Sequence, residues 1–271
     1  MGLVTSQQLA KYYNSYKERE ITFNRQIIDV LNLLPREVFL KNRGEQLPCV
    51  IYSSSMVGAK IVANLKAGTL QQIRNSGNTV SLRFAFARND KAEPLYFFTP
   101  AKVANYSFYN KEKPDLFFLS LEYTSKPPDD LIEMLGQLFD THANYTRRKD
   151  ERIELNPSII KHMGIESKEA TIVIEKQARK CIIRDLSFSG AKVLLFGAAT
   201  EHVEQTVALH FALNDAQRQH ILIPGTVVRF EEVVGRDDIG AFGIRFQEEK
   251  IPMSYKMLIN STLRTNRTVH E

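Results

Sequence analysis

Residues 181–195 read Cys181-Ile182-Ile183-Arg184-Asp185-Leu186-Ser187-Phe188-Ser189-Gly190-Ala191-Lys192-Val193-Leu194-Leu195. An apolar run enters a polar turn and a second apolar run leaves it, which reads as two strands joined tightly. The turn carries Asp185, Ser187 and Gly190 as D-x-S-x-x-G. It offers a carboxylate, a hydroxyl and a backbone free of Cβ, a set suited to close approach of a base. Upstream lies a second pattern, Arg148-Lys149-Asp150-Glu151-Arg152, with Arg147 just before it. Arginines are the side chains that fork onto phosphate and onto the O6/N7 edge of guanine. An anion with purine faces would use both patterns.

Working outward, the second half is a series of strand-like runs: Ala170–Glu175, Arg179–Arg184, Ala191–Leu195, Val207–Leu213, His220–Phe230 and Gly240–Phe246. Acidic or polar loops are expected at 231–238 and 214–218. A helix is expected from Pro252, with a polar, frayed tail after Thr262. The first half opens on helix. Thr5 or Ser6 can cap Gln7–Glu18, and a second helical stretch follows Thr22 until Pro35. Strands then recur at Glu37–Lys41, Gln46–Tyr52, Ala59–Leu65, Thr79–Ala87, Leu95–Phe98, Val103–Tyr109 and Asp115–Tyr123. Their length and spacing suggest a small barrel or sandwich. Pro127-Pro128-Asp129-Asp130 begins a helix that fades near His142, leaving Asn144–Arg152 as a polar, basic connector. The expected class is therefore mainly β with flanking helices: a domain over 1–144 and a second over 145–271. Two β-modules raise the question of duplication, but no repeat stands out in the sequence.

The charge is local. The chain of 271 residues has a net charge of +5, and residues 145–152 alone hold four basic and two acidic side chains. A nucleic-acid binder would spread basic residues along a face, so a small anionic ligand is favoured over a polymer. Single-stranded nucleic acid, with Phe84, Phe86, Tyr106 and Phe188 as stacking platforms, is the alternative. No apolar run is long enough to span a bilayer, and the N-terminus lacks the pattern of a signal peptide. Met1–Ser6 matches an acylation pattern only superficially. Cys49 and Cys181, each amid apolar residues, suggest buried free thiols and a reducing cytoplasm. His202, His210 and His220 show no metal-ligand spacing, so no metal is expected. Acid pairs such as Asp237-Asp238 and Glu231-Glu232 read as loop charges, and no nucleophile elbow or phosphate loop appears, so no catalytic residue and no enzyme are expected.

In this order and spacing, with GTVVRF at 225–230 and GAFGIRF at 240–246 following, residues 145–250 resemble the PilZ family of cyclic di-GMP receptors. Residues 1–144 resemble, by order and size, the modules preceding PilZ in flagellar-brake proteins of the YcgR type and in the two-domain spirochaetal receptors called PlzA. The resemblance implies two small β-barrels joined by a basic linker. It implies cyclic di-GMP as ligand, no cofactor, and Arg147, Arg148, Arg152, Asp185, Ser187 and Gly190 as binding residues. Arg148 and Arg152 would clamp phosphates or stack on guanine, and Asp185 would accept from guanine N–H donors. Ser187 would donate to the ligand or lock the turn. Gly190 would leave room for the ligand. A basic residue at Arg147 implies a stacked pair of ligand molecules. The implied partner is an unidentified effector protein, with motility and the flagellar motor favoured.

Overall fold

The computed structural model describes residues 5–88, 91–110, 112–196, 202–214 and 218–268. Met1–Val4 of the acylation-like pattern, residues 215–217 of the second polar loop, the side chain of Asp237 and the last residues of the polar tail lie outside them. The chain divides into two compact units, Met1–Asp140 and Thr141–Glu271.

In the first unit, helix α1 (Ser6–Tyr16) starts at Thr5, whose hydroxyl accepts from the Gln8 N–H at 3.3 Å. A two-residue strand β1 (Ile21–Thr22) and helix α2 (Arg25–Leu31) follow. Strands β2 (Phe39–Asn42), β3 (Glu45–Ser54), β4 (Gly58–Asn64), β5 (Thr79–Phe86), β6 (Leu95–Asn110) and β7 (Lys113–Tyr123) pair in the order β3-β2-β5-β6-β7-β4. Pairing of β4 with β3 closes them into a six-stranded antiparallel barrel, with β1 added against β3. Helix α3 (Ala67–Asn75) connects β4 to β5. Alternate residues fill the barrel, among them Leu40, Ile61, Leu82, Phe84 and Leu119, all fully buried. The two strands expected at Leu95–Phe98 and Val103–Tyr109 are one. Pro100 sits within it opposite Ser81, and β6 pairs first with β5 and then with β7 across a register shift at Val103/Asn105.

Helix α4 (Asp129–Arg147) carries the chain onward. It does not fade near His142. Asn144 is buried, and its Nδ2 donates to Asn260 Oδ1 at 2.8 Å, while Asn260 Nδ2 donates to the Thr141 hydroxyl at 3.2 Å. Those partners, far away in sequence, keep polar residues in the helix that would otherwise favour leaving it.

The second unit repeats the plan. Strand β8 (Ile153–Glu154) and helix α5 (Pro157–Met163) precede β9 (Glu169–Ile174), β10 (Gln177–Leu186), β11 (Gly190–Phe196), β12 (Thr206–Ala212), β13 (His220–Val233) and β14 (Arg236–Phe246). The barrel order is β10-β9-β12-β13-β14-β11, closed by β11 on β10, with β8 added against β10. The acidic stretch 231–238 is not a loop: β13 and β14 run through it and turn at Val234-Gly235, pairing Glu231 with Ala241 and Glu232 with Gly240. Helix α6 (Met253–Thr268) continues well past Thr262.

The duplication that no motif announced is visible in the register. Lys17, Ile21, Asn24, Ile27, Ile28, Cys49, Ser55 and Gly58-Ala59-Lys60 recur at one constant offset as Lys149, Ile153, Asn156, Ile159, Ile160, Cys181, Ser187 and Gly190-Ala191-Lys192. Asn24 and Asn156 cap α2 and α5, accepting from Ile27 N–H at 3.0 Å and Ile159 N–H at 2.9 Å. The bulge at Ile51/Ser53 has its counterpart at Ile183/Asp185. Ser55 and Ser187 each donate a backbone N–H to the carbonyl of the following glycine, Gly58 or Gly190, at 2.8 Å. Scattered identities on a shared hydrogen-bond frame hid the repeat from a search for contiguous words. Among the described residues, no helix is long and apolar enough to cross a membrane.

Candidate ligand-binding site

The site is built on β10, the turn after it, and the segment that follows α4. β8 pairs antiparallel with the end of β10, setting Glu154 opposite Asp185 and Ile153 opposite Leu186, and Leu155 N–H donates to Arg184 O at 2.9 Å. That pairing brings the two sequence patterns together. Arg152, exposed, ion-pairs through Nη1 with Asp185 Oδ1, whose side chain is only 13% exposed. The expected loose connector is instead a strap. Ser189 N–H donates to Lys149 O at 3.1 Å, the Ser189 hydroxyl donates to Asp150 Oδ1 at 2.6 Å, and Lys149 Nζ pairs with Glu248 at 2.8 Å. Tyr145, in the last turn of α4, meets the buried Phe188 edge-on at 5.6 Å between ring centroids, and Lys256 Nζ lies 4.1 Å from its ring centre.

Each expected site residue has a definite place. Arg147 is the last residue of α4 and exposed, so it is helical rather than part of a linker. Arg148 follows it and is mostly buried. Its Nε is 3.9 Å from Glu151, and its Nη1 is buried with no hydrogen-bond partner among the described residues. An unsatisfied buried guanidinium nitrogen costs free energy until something accepts from it. Thr146, Arg147, Arg148, Lys149, Asp150 and Glu151 line an open cavity of about 520 Å³. Its lining holds three basic and two acidic side chains, and Asp185, Ser187 and Gly190 are outside it.

The turn residues act differently from the expectation. Ser187 is 1% exposed. Its hydroxyl accepts from Gly190 N–H at 3.1 Å and lies 3.3 Å from Gly190 O, so of its two expected roles it performs the second, locking the turn. Gly190 is required by the barrel: a Cβ there would lie 2.2 Å from Ile244 O. The expectation that its missing Cβ makes room for ligand is corrected, because β14 occupies that space. Tyr255, fully buried on α6, donates its hydroxyl to Ser187 O at 2.7 Å and supports the turn from within. Burial, with Asp185 nearby, pushes that phenol up.

Three residues escaped the sequence reading. Lys192 on β11 lies opposite Asp185 on one side and Gly243 on the other, and Gly243 lies opposite Arg229 on β13. Glu231 bridges the two cations, pairing with Lys192 Nζ and, at 2.7 Å, with Arg229 Nε. The Lys192 hydrogen bond, with help from Arg229 and Arg152, holds the Glu231 carboxyl below its usual range. The signal was Lys192 two residues after the motif glycine, repeated as Lys60 after Gly58.

Phe84, Phe86 and Phe188 are buried to 1% or less, which removes them as stacking platforms for a nucleic acid; Tyr106 alone of the four is accessible. His210 and His220, which spacing did not pair, meet across β12 and β13 with Nε2 and Nδ1 3.1 Å apart, but among the described residues no three His, Cys, Asp or Glu side chains converge.

Against known proteins, residues 7–144 match the PilZN3 domain and residues 146–261 match the PilZ domain. The chain is 41% identical over 260 residues to a protein of Treponema denticola named "Cyclic di-GMP binding protein", covering 96% of this chain and 82% of that one. It is similar to the crystal structure of PlzA from Borreliella burgdorferi in complex with c-di-GMP, with 26% identity, 95% of this chain and 98% of that chain covered, and a TM-score of 0.43. It is also similar to YcgR from Escherichia coli in complex with c-di-GMP, with 12% identity, 94% and 96% covered, and a TM-score of 0.30.

Proposed function

The chain belongs to the PilZ family, with a PilZN3 domain ahead of a PilZ domain, and on that premise we propose that it is a receptor that binds cyclic di-GMP at the strap and the D-x-S-x-x-G turn of its second barrel. The observation that carries the reading is Arg148. It holds a buried guanidinium nitrogen with no partner among the described residues, on the wall of a cavity that Arg147 and Lys149 also line. A phosphate or a guanine Hoogsteen edge offers the acceptors it lacks. The relative from Treponema denticola supports the same ligand.

In the bound complex Arg148 and Arg152 take phosphate or guanine acceptors. Arg147, exposed at the end of α4, reaches a second ligand molecule stacked on the first. Asp185 exchanges its pairing with Arg152 for guanine N–H donors. Ser187 and Gly190 act through the turn: they hold Asp185 and the strap contacts of Ser189 in place. Binding alters the strap at the end of α4 and with it the arrangement of the domains, and so regulates a partner protein, motility being the output the resemblance favours. Calorimetric titration with cyclic di-GMP, with GTP and cyclic GMP as controls, tests the reading. Saturable binding of cyclic di-GMP alone supports it, and no heat at millimolar ligand removes it.

A further inference from the structure

The two barrels carry the same lysine on the same frame, and only the first supplies that lysine with an anion from its own strap. In the first barrel Glu20 stands where Arg152 stands in the second, and Lys60 where Lys192 stands. Glu20 Oε2 accepts from Lys60 Nζ at 2.7 Å, and its Oε1 accepts from the Ser53 hydroxyl at the bulge. Partial burial raises the Glu20 carboxyl, and the Lys60 and Ser53 hydrogen bonds outweigh it, leaving the group below its usual range. The frame thus forms an anion seat, and the chain fills it.

In the second barrel the strap residue is a cation and turns to Asp185 instead. Lys192 is left to Glu231, which arrives from β13 and is shared with Arg229. Gly243, between the two cations in the register, projects no side chain; it is buried, and the Arg229 side chain lies against it, so no side chain stands between Lys192 and Arg229 there. Glu231 is 37% exposed and can leave for water, whereas Lys192, at 28%, is held more closely to the barrel.

Resting on the cyclic di-GMP reading above, we propose that Lys192, assisted by Arg229, is a further ligand-anchoring residue that takes a phosphate of the dinucleotide in exchange for Glu231. The phosphate replaces a carboxylate already seated on the same cation, so no buried charge is left unpaired. Glu231 acts as a built-in competitor, setting affinity from the free side of the equilibrium.

The test is titration of the full chain with cyclic di-GMP in K192M, K192R, E231Q and K60M, with R152A and the melting temperature of each alongside. K192M is expected to weaken binding about tenfold, the loss of one charge-assisted contact. K192R is expected to stay within about threefold of the parent, because the charge is kept. E231Q is expected to tighten binding severalfold, and K60M to leave it unchanged. Parent-like affinity in K192M, equal losses in K192M and K192R, or unchanged affinity in E231Q overturns the proposal, provided R152A binds weakly. Where K192M does not fold, E231Q decides alone. If R152A also binds like the parent, it is the placement of the ligand on the strap and turn that fails, and this proposal with it.

Discussion

Arg152 and Asp185 are ion-paired, and this contact joins the strap after α4 to the end of β10. The pair gives Arg152→Ala two consequences. The affinity for cyclic di-GMP should fall ten- to hundredfold, the loss of about 1.5–3 kcal/mol for a charge-assisted contact. Stability should fall by no more than about 1 kcal/mol, because Arg152 is 44% exposed and the pair is screened on that side. Calorimetric binding and urea melts measure both, and unchanged affinity would remove Arg152 from the site.

Arg148→Ala should separate the two effects. Its Nη1 has no hydrogen-bond partner among the described residues, so truncation removes an unsatisfied buried donor together with some packing. Binding should be lost at least tenfold while the urea midpoint stays level or rises. A large drop in stability would mean that Arg148 holds the fold, not a ligand.

Gly58 and Gly190 occupy equivalent corners, and an added Cβ would meet Leu121 O at 2.4 Å or Ile244 O at 2.2 Å. Backbone must move in either case, so Gly58→Ala and Gly190→Ala should each cost about 1–3 kcal/mol. Only Gly190→Ala should also weaken cyclic di-GMP, by displacing the turn that carries Ser187 and Ser189. Thermal melts paired with titration check this, and loss of binding in Gly58→Ala alone would reverse the assignment.

Much of this was legible because barrel strands advertise themselves by alternation, as in Val80, Leu82 and Phe84 or Val207, Leu209 and Phe211. The arginine pattern and the turn were legible because few residue types do that chemistry. What escaped depends on distant partners. The end of α4 rests on Asn260, and β1 and β8 are only two residues long, existing because β3 and β10 pair with them. Glu231 and Glu232 look like loop residues until β14 is laid beside them. Gly190 reads as a ligand-clearance glycine until Ile244 is placed against it.

Cys49 and Cys181 hold equivalent positions on β3 and β10, and burial pushes both thiols up to about 12. A disulfide reagent at pH 8 should therefore leave the folded protein unlabelled and react with two thiols only in denaturant. Because the folded values exceed those of an unfolded thiol, the stabilising contribution is complete below about pH 8.5 and is lost as pH rises through about 12. Rapid labelling of the native protein would contradict the burial of either residue.

The last prediction concerns output. α4 ends at Arg147, and the residues after it are bonded to the second barrel through Lys149 O and Asp150. A ligand held by Arg147, Arg148 and Arg152 therefore bears on the end of the helix that leads in from the first unit, rather than ordering a free linker. It can shift the distribution of domain arrangements only by binding some of them better than others. Labels on the exposed Asn75 and Lys161, one in each unit, should show a narrower distance distribution at saturating cyclic di-GMP. Arg147→Ala should blunt that narrowing more than it weakens binding, since Arg147 alone of the three arginines lies within the helix. An unchanged distribution at saturation would assign the output to a local change on the face of the second barrel, around Lys192, Glu231 and Arg229, and a partner would then be sought by its ligand-dependent contact with that face.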